Sequence, residues 1–78
     1  MKGVFSRMNT VQPGLWRHFK GNLYRVYGTA LHSETGEEMV VYQALYGQKG
    51  LWVRPVAMWE EQVERETYSG PRFVRVGD

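Results

Sequence analysis

His32 and Glu34 stand two residues apart in "HSE". On an extended strand that spacing aims both side chains at one face, where an imidazole and a carboxylate can hold a metal ion or pass a proton. A metal site needs a third ligand. The only other histidine is the distant His18, and the remaining carboxylates are scattered. The simpler reading is that His32 ends a strand and hydrogen-bonds the following turn through Ser33 or Thr35. Nucleophilic catalysis has less to work with: there is no cysteine, no G-x-S-x-G elbow, and Ser6, Ser33 and Ser69 all fall in loop-like contexts. Gly47 and Gly50 bracket Gln48-Lys49 without the spacing of a phosphate loop and read as a hairpin turn. We therefore expect no catalytic residue, no metal and no cofactor, with a small enzyme or metal site at His32 and Glu34 as the minor alternative.

Cations interleave with aromatic rings more suggestively. Arg17, His18, Lys20 and Arg25 surround Trp16, Phe19 and Tyr24, and Lys49 and Arg54 flank Trp52. Stacking combined with phosphate neutralisation would use this combination to bind single-stranded nucleic acid. The same pattern also arises when the rings form a core and Arg and Lys stems lie across them. Strand alternation puts Trp52 and Arg54 on one face, and the Arg54 guanidinium suits a carboxylate, a phosphate or an aromatic ring. Glu34, Glu37, Glu38, Glu60 and Glu61 are candidate internal partners for it. The expected ligand-binding residues are Arg17, Lys20, Tyr24, His32, Lys49, Trp52 and Arg54. A net charge of +2 does not by itself select nucleic acid as the ligand.

The elements that must position these residues are short. A chain of 78 residues without cysteine is one domain with no disulfide to staple it, so its stability rests on its aromatic residues, well-made turns and a closed sheet or partner subunit. Residues 1–12 lack periodicity and are expected to be a flexible arm, with a single domain over 13–78. Leu15 to Phe19 and the Lys-Gly-Asn that follows predict a hairpin. Leu23 to His32 predicts a long strand with Tyr24, Val26, Gly28, Ala30 and His32 on one face and Leu23, Arg25, Tyr27, Thr29 and Leu31 on the other, bent at Gly28. "SETGE" supplies a turn, Met39 to Tyr46 returns as a strand, and "LWVR" follows "GQKG". After Pro55, "AMWEEQVERE" offers only a narrow apolar face, enough for one helical turn leading into an extended segment. "SGP" turns again before the closing strand Arg72 to Val76. The whole predicts an all-β fold, a small, strongly bent SH3-like barrel of about five strands with one short helical turn before the last strand.

"PGLWRHFKGNLYRVYGTALHSETGEEMVVYQALYG", then "LWVRPVAMW", then "PRFVRV" resemble the bacterial domain of unknown function 1653 family along most of the chain after Pro13. The order and spacing of "RHFKGNLY", "HSET", "VVYQALYG" and "LWVRP" carry the resemblance. It implies a single small SH3-like barrel and brings no assigned activity. Trp16 stands where tyrosine is commoner in the motif and Trp59 where phenylalanine is commoner, and both keep a ring.

No apolar run is long enough for a signal peptide or a membrane span, so a cytoplasmic location with no membrane contact is expected. The leading functional expectation is a non-catalytic interaction module for a protein or peptide partner. Single-stranded nucleic acid or RNA is the alternative ligand, and a homodimer is the third arrangement considered.

Overall fold

Runs of β-branched and aromatic residues separated by glycine-containing turns build a sheet whose order follows the chain and then returns. A computed structural model describes residues 11–78; residues 1–10, most of the predicted arm, lie outside the described residues. The strands are β1 (Gly14–His18), β2 (Leu23–Leu31), β3 (Glu38–Ala44) and β4 (Leu51–Pro55); a helical turn α1 (Val56–Trp59) follows, then β5 (Gln62–Arg65), β6 (Tyr68–Pro71) and β7 (Phe73–Gly77). Five strands form one antiparallel sheet in the order β4-β3-β2-β1-β7, and β5 and β6 form a separate hairpin. The fold is all-β, a bent meander whose last strand closes against its first. The predicted elements are present. The β5–β6 hairpin, which the sequence reading merged into an extended segment and a turn, stands between the helical turn and the last strand.

Gly28 bends β2 as expected, and the bend has a further effect. The β2–β3 register slips between Val26 and Gly28, because Val26 pairs with Tyr42 while Gly28 pairs with Val41. Tyr27 is the extra residue of a β-bulge, and the parity of the strand flips there. Thr29 pairs with the buried Val40 rather than pointing to the opposite face, so the strict two-face alternation expected from Leu23 to His32 holds only as far as the bulge. Gly28 has φ of 149°, a backbone region that side-chain-bearing residues rarely enter.

The inner face carries the core. On β3, Val40, Tyr42 and Ala44 are buried and alternate with the less buried Val41 and Gln43. Val40 and Tyr42 join Val26, Trp16, Phe73 and Trp59 in one cluster. The Trp59 ring stacks on Phe73 at 3.7 Å and receives the edges of Tyr42 at 4.9 Å and Trp16 at 5.7 Å. Pro55 ends β4, and its φ of −55° leads directly into α1, which turns Trp59 inward. Val11 is 1% exposed and the carbonyl of Gln12 accepts the Trp16 indole N–H at 3.0 Å. The packed domain therefore begins no later than Val11, two residues before the Pro13 boundary read from the sequence, because the core needs one more apolar side chain at that end.

Candidate binding site

Two turns hold the two histidines, and both are built alike. At the end of β1, His18 Nδ1 accepts the backbone N–H of Lys20 at 3.1 Å, and Gly21 N–H bonds the His18 carbonyl at 2.7 Å. After β2, His32 Nδ1 accepts the N–H of Glu34 at 3.1 Å, and Gly36 N–H bonds the His32 carbonyl at 2.8 Å. In both cases the ring nitrogen does the work that an Asx side chain does in a tight turn. Glu34 sits in the turn and not on a strand, so the two-residue spacing does not align it with His32. Among the described residues no group of three His, Asp or Glu side chains is placed to hold a metal ion.

His18 lies in a different environment from His32. Its ring packs on Phe19 at 4.6 Å and edge-on to Phe73 at 5.0 Å. Burial depresses its pKa below the ordinary 6.5, and the positive charges of Arg72, Lys20 and Arg54 push it the same way. Phe19 itself stacks on Tyr68 at 5.3 Å and carries the Lys20 ammonium at 5.9 Å and the Arg65 guanidinium at 5.5 Å. The β1–β2 turn is thereby fastened to the β5–β6 hairpin, with Phe19 N–H bonding the Arg72 carbonyl at 2.9 Å.

From Phe73 the site continues along the inner rim. The Arg54 guanidinium stands 5.9 Å over the Phe73 ring, and among the described residues it has no carboxylate partner, contrary to the internal glutamate pairing considered from sequence. Arg72 is tied to Glu61 at 3.2 Å. Tyr24 touches Phe73 and Tyr42 edge-on, and its hydroxyl shares a 2.8 Å hydrogen bond with that of Tyr46. Burial, the bond to Tyr46 and the adjacent phenols raise the Tyr24 pKa well above the ordinary 10, against the opposing pull of Arg54. Tyr46, Lys49, Gly50 and Trp52 then line an open hollow of about 220 Å³ at the β3–β4 turn. Lys49 holds φ of 56°, and Gln43 Nε2 donates to its carbonyl at 3.0 Å. Trp52 is 59% exposed, whereas Trp16 and Trp59 are buried.

Five of the seven expected residues, Lys20, Tyr24, Lys49, Trp52 and Arg54, thus fall on one band that runs from the β1–β2 turn to the β3–β4 turn. The other two do not join it. Arg17 alternates with the inward Trp16 and His18 and so faces the opposite side of the sheet, and His32 lies in the exposed β2–β3 turn. His18, Tyr46, Phe73 and Arg72 join the band although they are not among the residues expected from sequence. The repeated pattern of a histidine followed by a glycine-containing turn was a visible signal for His18, but contact with residues more than fifty positions away was not.

A bent antiparallel sheet with one short helical turn and an aromatic and cationic rim defines the chain as a small all-β domain. Residues 14–75 match the family described as "Protein of unknown function (DUF1653)", and the chain belongs to that family. It is similar to a protein of the same family from Bordetella bronchiseptica, known from a crystal structure, with 38% identity and a TM-score of 0.80 over 87% of this chain and 90% of that one. No curated protein matches the chain.

Proposed function

We propose that this protein is a non-catalytic binding module of the cytoplasm that takes an acidic peptide segment of a protein partner along the rim from Lys20 to Trp52. Support comes above all from Trp52: a small domain gains little by leaving an indole 59% exposed, and a ligand that covers it recovers that area. Arg54 and Lys20 supply the cations for peptide carboxylates, and Tyr24 and Tyr46 give amphipathic surface between them. His18 adds a neutral imidazole, since burial and its cationic neighbours disfavour its protonation.

Selection from a random peptide library displayed on phage tests the reading. Enrichment of peptides that combine acidic residues with an apolar anchor is expected, with binding weakened at least about tenfold by Trp52→Ala and by Arg54→Ala, the loss of a buried anchor or its charge partner. Absence of enrichment, or binding indifferent to Trp52→Ala, would overturn it. Oligo(dT) and oligo(rU) serve as the contrasting probes. Tight binding to them that falls steeply with salt would identify single-stranded nucleic acid as the ligand instead.

A further inference from the structure

β4 ends the sheet. Its neighbour on one side is β3, and among the described residues no strand pairs with the other side. Three consecutive large apolar residues on it are exposed: Leu51 at 66%, Trp52 at 59% and Val53 at 58%. An uncovered apolar edge of this kind is a template for strand addition, and proteins usually blunt it with charge or a bulge.

The backbone pattern fixes what that edge offers. Ala44 N–H bonds the Gly50 carbonyl, while Leu45 N–H bonds the Leu23 carbonyl on the other side. With Gln43 opposite Leu51 and Tyr42 opposite Trp52, the alternation of an antiparallel ladder turns the backbone groups of Trp52 and Arg54 toward β3. Those of Leu51 and Val53, and the carbonyl of Pro55, then face outward. Pro55 has no N–H to offer, so its place at the end of the strand costs the β3–β4 ladder nothing.

We propose that two copies of this chain pair antiparallel through β4, in a register centred on Val53, to form a continuous ten-stranded sheet. In that register Val53 of each copy bonds Val53 of the other in both directions, and each Leu51 N–H reaches the opposite Pro55 carbonyl. Side chains match as well. On the outer face Val53 meets Val53, and Leu51 meets Pro55. This joins the apolar rows that continue inward to Val41, where Tyr27, Val41, Gln43 and Leu51 line an open hollow of about 350 Å³. On the inner face each Arg54 lies opposite the Trp52 of the second copy, giving two cation–π pairs from the arginine without a carboxylate partner and the exposed indole. The edge is self-complementary, as a two-fold interface requires. The two binding rims then meet across the axis, and the inference goes beyond the peptide reading because it needs no ligand.

Sedimentation equilibrium of the full chain, across a series from micromolar to millimolar, tests it without ligand. A reversible monomer–dimer equilibrium is expected, and Val53→Lys, which sets like charges face to face at the axis, should shift it to monomer with an unchanged circular dichroism spectrum. The register has its own test. The chain has no native cysteine, so Val53→Cys should form an intermolecular disulfide under mild oxidation, because directly opposed Cα atoms lie about 5.5 Å apart. A chain that stays monomeric at millimolar concentration, or a dimer that Val53→Lys leaves intact, would overturn the pairing. Cross-linking through Trp52→Cys in place of Val53→Cys would overturn the register.

Discussion

The turns at His18 and His32 use one device in two settings. Each places a histidine at the end of a strand, lets Nδ1 accept the N–H two residues on, and closes with a glycine. At His32 the ring also accepts the N–H of Thr35 at 3.4 Å, and the turn stands in solvent. At His18 the same ring is pressed between Phe19 and Phe73 and ringed by Arg72, Lys20 and Arg54. Identical local chemistry therefore gives a structural cap in one place and part of an aromatic and cationic rim in the other. The β5–β6 hairpin and β7, which bring Tyr68, Arg72 and Phe73, make the difference.

Removing what distinguishes the two settings should have the largest effect. Phe73→Ala takes away the wall behind His18 and the stacking partner of Trp59, and should cost about 3–5 kcal/mol in chemical denaturation. The backbone amides of the His32 turn should keep their chemical shifts in such a variant as far as it remains folded. Trp59 offers a sharper version, because its buried indole N–H has no acceptor among the described residues. Trp59→Ala should cost about as much as Phe73→Ala, whereas Trp59→Phe, which removes the orphan donor along with some volume, should change stability by less than about 1.5 kcal/mol.

Next in size is the strand that joins the two turns. Gly28→Val puts a β-branched residue at φ of 149° and should destabilise by more than about 1 kcal/mol, measured by the denaturation midpoint. Apart from its chain neighbours, no atom of the described residues lies within 4 Å of where a Cβ would stand, so the cost is conformational and Gly28→Ala should incur most of it. An Ala variant as stable as wild type would show that the bulge tolerates an ordinary residue.

The histidines themselves come last. His18→Ala loses a turn acceptor and aromatic packing, and should cost about 1–2 kcal/mol; His32→Ala loses the acceptor alone and should cost about 0.5–1 kcal/mol. Asparagine keeps an acceptor, so His32→Asn should restore most of the loss while His18→Asn should not. His18 also carries a pH dependence. The folded pKa of His18 lies below its unfolded 6.5, so the unfolded chain binds more protons between those values and stability rises with pH there. The contribution is fully present above 6.5 and disappears as pH falls through the folded pKa. NMR titration of the His18 ring should show a midpoint below 6.5, moved upward by Arg54→Ala, and His18→Asn should flatten the stability profile in that window.

Much of this architecture was legible because it rests on local chemistry. Alternation, glycine-bearing turns and Pro55 are consequences of φ/ψ preference and strand geometry, and they located the four strands of the meander, the closing strand and the short helical turn. The β5–β6 hairpin was less visible, since "EEQVERETYSGP" is polar and only Val63 of β5 is buried. Five of the seven residues expected from the mixture of rings and cations lie on one band, a compositional signal that does not depend on register. Arg17 lies off that band because one step along β1 moves a side chain to the opposite face.

The sequence by itself determined the local conformations: where strands run, where they turn, and that His32 caps its turn, since each of these depends on residues within a few positions. Only the tertiary structure decided which tryptophan is exposed, that the bulge at Tyr27 reverses the faces of β2, and that Arg54 rests on Phe73 with no carboxylate beside it. The physical reason is that burial and pairing are set by contacts between distant segments. Trp16, Trp52 and Trp59 have the same side chain, and only the position of each in the fold separates a core ring from an exposed one.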